Sequence, residues 1–374
     1  MMKTRAAVLR KGGTPWEITE LDLDEPGAGE VLIRYEAAGL CHSDEHIRAT
    51  GTARLPLVGG HEGAGVIEKT GPGVTRVQTG DRVACSYIPV CGTCRYCSTG
   101  HQNLCDAGKN AAIGCLVDGT FRFHDNSEDL GGMCVLGTFS QYAVLSEWSC
   151  VKSEDDIPFE LAALVSCGVT TGFCSAIYAG DVRPGETVVI FGTGGVGMNA
   201  VQGARYAGAK NVIVVDPVEF KRDMAKFFGA THAFATAPEA HDFVVETTRG
   251  QLADHVICTP GVVTEEMVNA AVLMTGKGGK VTITAVGHFD ERAVHVHAGL
   301  LIGYMREIRG ALFGDSNPLY DIPMLLGLYR SGDLKLDELV SRKYRLDQVN
   351  DAYRDMTDGK NIRGVIVHEH EESR

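Results

Sequence analysis

Two kinds of hydrophobic pattern divide the chain. As far as about residue 150 the apolar positions come in short runs broken by glycine and proline. Ala6 to Leu9, Val31 to Tyr35, Gly63 to Glu68, Arg82 to Tyr87 and Phe139 to Leu145 read as strands, with turns at Glu25–Gly29 and Gly71-Pro72-Gly73. Strands without helical periodicity between them predict an all-β, barrel-like N-terminal part. Pro158 opens a helix-like run to Ser166, with Asp156 as its expected N-cap. From Val188 onward the pattern changes. Val188–Phe191, Asn211–Val215, His255–Cys258, Lys280–Thr284 and Arg306–Phe313 read as strands separated by helical stretches such as Met198 to Ala207. That alternation predicts an α/β unit with a parallel, doubly wound sheet. Phe220, Met224, Phe227 and Phe228 fall at helical spacing and are expected to face its core. Asp321–Arg330 and Leu346–Met356 read as helices and Gly364–His368 as extended, in a last part that returns to the first domain. Residues 106–138 are glycine-rich and polar and are expected to form a long loop. His368-Glu369-His370-Glu371-Glu372 reads as a frayed polar tail.

Composition narrows the class. A chain of 374 residues predicts two domains, and 44% hydrophobic with 22% charged residues describes a globular protein. No apolar run is expected to reach the ~18 residues of a membrane span, and the N-terminus lacks a secretory pattern. The net charge of -13 argues against nucleic acid as a partner. Twelve cysteines, several at metal-ligand spacing, point to metal sites in a reducing cytoplasm rather than to disulfides.

The sharpest chemistry lies at Val188-Val189-Ile190-Phe191-Gly192-Thr193-Gly194-Gly195-Val196-Gly197. A strand runs into a glycine turn, a helix follows, and the next strand ends on Asp216, 24 positions after Gly192. Gly192, Gly194 and Gly197 stand where a dinucleotide fingerprint needs a tight turn, a close approach to pyrophosphate and a close helix–strand contact. Gly195 and Val196 open the helix, whose free N–H groups suit phosphate. A carboxylate at Asp216 accepts ribose hydroxyls and repels a 2′-phosphate, so NAD is expected over NADP. Lys221 and Arg222 follow closely and weaken that preference.

Cys91, Cys94, Cys97 and Cys105 place four thiols within fifteen residues, enough to close a tetrahedral structural zinc shell. An iron–sulfur motif would bring the fourth cysteine closer and follow it with proline, whereas Asp106 follows here. Cys41, His61 and Cys167 make a Cys₂His set, three ligands with a place left for water or substrate, as a catalytic zinc requires. On spacing alone this second set is only suggestive.

Taken together, Gly39-Leu40-Cys41-His42-Ser43-Asp44, Gly60-His61-Glu62, the Cys91–Cys105 lobe, Cys167 to Gly172, the Gly192–Gly197 turn, Gly310–Gly314 and Asn361–Gly364 resemble the zinc-containing medium-chain alcohol dehydrogenases over essentially the whole chain. Within that family the chain is most similar to the actinobacterial nicotinoprotein, nitrosoaniline-dependent branch. The resemblance implies a GroES-like β-barrel catalytic domain from residues 1–168 and 314–374, and a Rossmann domain, 169–313. It implies two zinc ions and NAD. Cys41, His61 and Cys167 would be the catalytic zinc ligands, with Glu62 behind the metal and Asp44 supporting His61. Ser43 and His46 would relay the proton. His42 and Arg363 would contact pyrophosphate, Asp216 and Lys221 the ribose, and Thr171 and Val196 the nicotinamide. His42 departs from members that carry arginine there. Tyr87 would line the substrate pocket. The implied reaction is hydride transfer between a primary alcohol or aldehyde and NAD, held tightly and reoxidised by a separate redox carrier. The alternative is glutathione-dependent formaldehyde dehydrogenase. The resemblance also implies a homo-oligomer, dimer or tetramer.

Overall fold

The computed structural model describes residues 1–285 and 295–370. The expectation for Glu371 and Glu372 lies outside these residues. The chain forms two compact units, Met1–Cys167 with Asn317–Arg374, and Gly168–Ser316. The expected boundaries fall one and three residues from these.

In the first unit, the strands Met2–Leu9, Glu17–Leu23, Phe123–Asp125, Glu128–Gly132 and Leu57–Val58 close a barrel. A second sheet runs Cys150–Lys152, Arg82–Cys85, Glu62–Thr70, Glu30–Gly39, Arg363–Val367 and Val340–Tyr344, with Tyr142–Ser146 also paired to Glu30–Gly39. Alternation drives the packing: Leu21, Leu23, Val31, Ile33 and Tyr35 point into one fully buried core together with Phe123 and Leu130. The hairpin Phe123–Gly132 lies inside the stretch expected to be a loop. Its turn, Asp125-Asn126-Ser127-Glu128, is polar enough to mask two short strands, and Asn126 takes the left-handed conformation the turn needs, φ 57°. The strand Arg363–Val367 lies inside its sheet, one place from the edge, antiparallel to Glu30–Gly39 and parallel to Val340–Tyr344.

The C-terminal tail is not frayed as far as it is described. His368 is buried and donates to the Thr138 carbonyl at 3.0 Å, and His370 lies 2.8 Å from the Tyr35 carbonyl. Asp156 does not cap the helix after it. Pro158 holds the N-cap position, and the Asp156 carboxylate pairs with Arg330 at 3.0 Å.

A single helical stretch, Phe159–Ala179, carries the chain from one unit into the other and outruns the expected end at Ser166. It is long and apolar enough to cross a membrane, which corrects the expectation that no run comes near that length. It is a core helix: 89% of its most apolar window is buried.

The second unit holds a six-stranded parallel sheet in the order His232–Phe234, Asn211–Val215, Thr187–Phe191, Ala253–Cys258, Thr275–Ile283, Glu307–Gly310. In chain order that is 3-2-1-4-5-6, the doubly wound arrangement whose ligands lie beyond the carboxyl ends of the strands. The strands Thr187–Phe191, buried throughout, and Asn211–Val215, buried after its first residue, are apolar almost throughout, as parallel strands covered on both faces are. On the helix Glu219–Phe227 the expected core stripe is only partly right. Ala225 and the following Phe228 are buried, whereas Phe220 and Phe227 are 46% and 47% exposed. These two sit seven residues apart on one face, turned away from the sheet.

Candidate metal centres and dinucleotide turn

Gly39 ends one strand and pairs with Glu62, the first residue of the next. A Cβ at Gly39 would collide with Glu62 Oε2, so glycine makes room for this carboxylate. The chain then turns into the helix His42–Thr50, N-capped at Cys41, whose backbone N–H donates to Asp44 Oδ2 at 3.1 Å. The other Asp44 oxygen lies 2.8 Å from His61 Nδ1. Asp44 is fully buried, and this bond leaves His61 Nε2 as the nitrogen free for a metal. Cys167 lies in a π-helical turn, Val165–Val169, at the end of the first unit.

One ligand atom from each of Cys41, His61, Glu62 and Cys167 lies within 4.8 Å of all the others. Two thiols, an imidazole and a carboxylate suit zinc better than a hard cation. The electrostatics suit a divalent ion as well. A hydrogen bond from Cys167, and then the charge of His61, hold the Cys41 thiol well below its ordinary value, while the Cys167 thiol is pushed well up. Burial pushes Glu62 up to about 7 against the pull of the Arg363 guanidinium. Glu62 Oε1 is buried and has no hydrogen-bond partner, as befits an atom facing a cation. Glu62 Oε2 pairs with Arg363, which also donates to the Leu40 carbonyl at 3.1 Å. Arg363, expected at a pyrophosphate, is thus held on the metal side of the first unit.

Ser43 Oγ stands 3.6 Å from Cys41 Sγ, and His46 is half-buried on the same helix. His42 is exposed at its first turn. The Tyr87 ring meets the His61 ring edge-on, centroids 5.8 Å apart. A further thiol at this centre, Cys134, carries no sequence signal. Cys134 and Val135 both adopt left-handed backbone, φ 50° and 59°, which is strained for a β-branched residue. Burial pushes the Cys134 thiol up to about 11, and the charges it feels are His61, Asp44 and Cys41.

The sulfur atoms of Cys91, Cys94, Cys97 and Cys105 also lie within 4.8 Å of one another. Cys91–Cys97 and Cys94–Cys105 are 4.0 and 3.9 Å apart. The edge of a thiolate tetrahedron with Zn–S of about 2.3 Å is about 3.8 Å, whereas a disulfide would need about 2 Å. The N–H groups of Thr93 and Cys94 point at Cys91 Sγ from 3.4 and 3.3 Å. Partial burial opposes ionisation of Cys91, yet these donors bring its thiol down to about 6.

In the second unit, Gly192 takes φ 84° directly after the strand Thr187–Phe191. A Cβ at Gly197 would collide with the Gly192 carbonyl, so helix and turn touch there. A Cβ at Gly194 would meet nothing within 4 Å, which leaves open space at the N-cap of the helix Gly195–Tyr206. This is a cradle for a phosphate. Asp216 is buried and accepts from Thr193 N at 2.8 Å and from Val218 N at 2.9 Å, so it braces the turn it is expected to serve. Lys221 is half-buried in the first turn of the helix Glu219–Phe227, and Val196 is half-buried behind Gly195. Thr171 is 7% exposed, and its hydroxyl has no partner.

A glycine turn open to phosphate in one unit and a thiolate–imidazole centre in the other define a nucleotide-dependent metallo-dehydrogenase. Residues 27–155 match the alcohol dehydrogenase GroES-like domain, and residues 195–328 match the zinc-binding dehydrogenase family. The chain is 56% identical over 368 residues to the NDMA-dependent alcohol dehydrogenase of Amycolatopsis methanolica, covering 98% of this chain and 99% of that one. It is 35% identical to the S-(hydroxymethyl)glutathione dehydrogenase of Komagataella pastoris, covering 98% of each chain. Among solved structures, benzyl alcohol dehydrogenase from Acinetobacter calcoaceticus superposes with a TM-score of 0.91 at 30% identity, covering 99% of this chain and 100% of that one. The chain belongs to the zinc-containing medium-chain alcohol dehydrogenase family, whose members are NAD-dependent oxidoreductases.

Proposed function

We propose that this chain is a nicotinoprotein alcohol dehydrogenase. It oxidises small primary alcohols to aldehydes with a resident NAD, which a second acceptor reoxidises in place. The observation that carries this reading is the 56% identity, across 98% of the chain, to a relative named for its dependence on NDMA. The relative named for glutathione chemistry stands further off at 35% identity.

Cys41, His61 and Cys167 would hold the catalytic zinc, with Glu62 beside it, and Cys91, Cys94, Cys97 and Cys105 the structural one. Zinc at the first site supplies a Lewis acid that lowers the pKa of an alcohol, and NAD supplies the hydride acceptor. The chain does the rest. Asp44 keeps the His61 Nδ1 proton, so the ring presents Nε2 to the metal. Ser43 Oγ takes the alcohol proton and passes it toward His46. Tyr87 forms a wall of the alcohol pocket. Gly194, Gly195 and Val196 receive the pyrophosphate, while Asp216 and Lys221 bind the adenosine ribose. His42 adds positive charge and Thr171 packs on the nicotinamide, while Arg363 holds Glu62 in place. The enzyme works as a homo-oligomer in the cytoplasm, where its twelve free thiols stay reduced.

The test is to denature dialysed protein and assay the supernatant for nicotinamide cofactor, with alcohols assayed in parallel against free NAD and a nitrosoaniline. Stoichiometric cofactor with dye-dependent turnover is expected. Cofactor-free protein that reduces added NAD would overturn the resident-cofactor reading, and turnover only with a glutathione–formaldehyde adduct would overturn the substrate.

A further inference from the structure

Gly60 and Gly63 bracket the pair His61-Glu62, and one side chain fills the space that both glycines leave. A Cβ at Gly60 would collide with Thr138 Oγ1, and a Cβ at Gly63 would collide with Thr138 Cγ2. The two branches of the threonine therefore reach the residue before the pair and the residue after it. Thr138 is fully buried, and its backbone is bonded on both sides: its N–H donates to the Gly60 carbonyl at 3.1 Å, and its carbonyl accepts from His368 Nε2 at 3.0 Å. Phe139 continues the contact, its N–H donating to the Gly59 carbonyl at 2.9 Å. The strand Arg363–Val367 thus acts on the pair from both of its ends: Arg363 meets Glu62 directly, and His368, just past the strand, holds Thr138. The Thr138 hydroxyl is buried without a hydrogen-bond partner, so the side chain contributes shape rather than a polar contact. Branching at Cβ restricts its rotation, which makes that shape stiff. The chain reaches Thr138 through the left-handed Cys134 and Val135, a strain that persists only where the surroundings fix the geometry.

We propose that Thr138 is a positioning residue of the metal centre: its branched side chain, wedged against Gly60 and Gly63, fixes the backbone that presents His61 and Glu62 to the metal. Asp44 orients the His61 ring, and Thr138 holds the segment that carries the ring. Removing the branches leaves a void beside two glycines, whose backbone is free to move into it. Outer groups that orient a ligand commonly change metal affinity by 10–100-fold. The inference rests on reading Cys41, His61 and Cys167 as a zinc set.

The test compares the purified holoenzyme with Thr138→Val, which keeps the branched shape, Thr138→Ser, which loses the methyl group facing Gly63, and Thr138→Ala, which loses both branches. Zinc transfer to a chelator is timed for each site, the structural zinc serving as internal control, and the visible absorption of cobalt exchanged into the catalytic site is recorded. Thr138→Val should match the wild-type protein. Thr138→Ala should lose catalytic zinc about tenfold faster, with displaced cobalt bands and unchanged release of the structural zinc. Thr138→Ser should fall between the two, and it carries the comparison if Thr138→Ala does not fold. Wild-type release and spectra in both Thr138→Ala and Thr138→Ser would overturn the proposal. So would equal defects in Thr138→Val and Thr138→Ala, which would trace the effect to the hydroxyl, and so would loss of both zinc ions together in Thr138→Ser, the mark of general unfolding. A wild-type protein that holds one zinc, none of it lost on Cys41→Ser, would instead overturn the zinc-set reading beneath it.

Discussion

Glu62 and Arg363 form an ion pair out of reach of solvent, their side chains 0% and 4% exposed, across 301 residues of sequence. Breaking such a pair leaves a buried charge uncompensated. Arg363→Met is expected to lower the stability of the zinc-loaded protein by about 3–5 kcal/mol. Denaturant unfolding measures this, and an unchanged midpoint would show that Glu62 finds another counter-ion.

The two glycines of the nucleotide turn should separate binding from folding. Gly194→Ala adds a methyl group to open space, so co-purified nicotinamide should fall sharply, while melting should match that of wild-type protein stripped of its cofactor. Gly197→Ala drives a methyl group into the Gly192 carbonyl, so cofactor and melting temperature should fall together. Retention of cofactor by Gly194→Ala would mean that the pyrophosphate does not lie at this helix start.

The two thiol sets should fail differently. Cys41→Ser is expected to abolish turnover and remove one of two zinc ions per chain with little change in melting. Cys94→Ser should remove the other and cost about 4 kcal/mol or more in stability. Metal analysis with calorimetry reads both. Equal loss of activity with unchanged melting in both variants would reverse the division into catalytic and structural sites.

Two histidines should tilt stability in opposite directions. Burial lowers His368 to about 4, so it stays neutral in the fold. Its contribution is complete above pH ~6.5 and is lost as pH falls toward 4, a range worth about 3 kcal/mol. His124 lies between Asp24 and Asp129, each 2.9 Å away. Partial burial opposes its charge, but the two carboxylates prevail and raise its pKa. Its contribution is complete below pH ~6.5 and disappears as pH rises through the raised value; with partly exposed partners it is worth about 1 kcal/mol or less. Unfolding curves between pH 4 and 9 should therefore show a gentler acid-side loss for His368→Gln and a gentler alkaline-side loss for His124→Gln.

Elements with strong periodicity were readable from the chain. Val188–Phe191, Asn211–Val215 and His255–Cys258 lie in the parallel sheet because fully buried strands need unbroken apolar runs. The glycine turn and the thiol lobe were readable because their chemistry is local. Three features were not. The hairpin Phe123–Gly132 has one polar face and a polar turn, so composition alone reads it as loop. His368 and His370 look like tail residues until the sheet brings the Thr138 and Tyr35 carbonyls to them. Phe220 and Phe227 match a helical stripe, but small Ala225 and Phe228 fill the space under that helix.

The place of the strand Arg363–Val367 has a consequence for biosynthesis. It is an interior strand, seated between Glu30–Gly39 and Val340–Tyr344. Translation delivers Cys41, His61 and Glu62 early and Arg363 almost last. While the chain is still growing, the thiols and the carboxylate have no arginine beside them, and their sheet lacks the strand that joins Glu30–Gly39 to the edge strand Val340–Tyr344. The Gly168–Ser316 unit has all of its strands by then and can fold first, as domains do. The metal centre is therefore a late product of synthesis, completed only when the final strand slots in, and a nascent chain stalled before residue 363 carries ligands without a finished site to hold them.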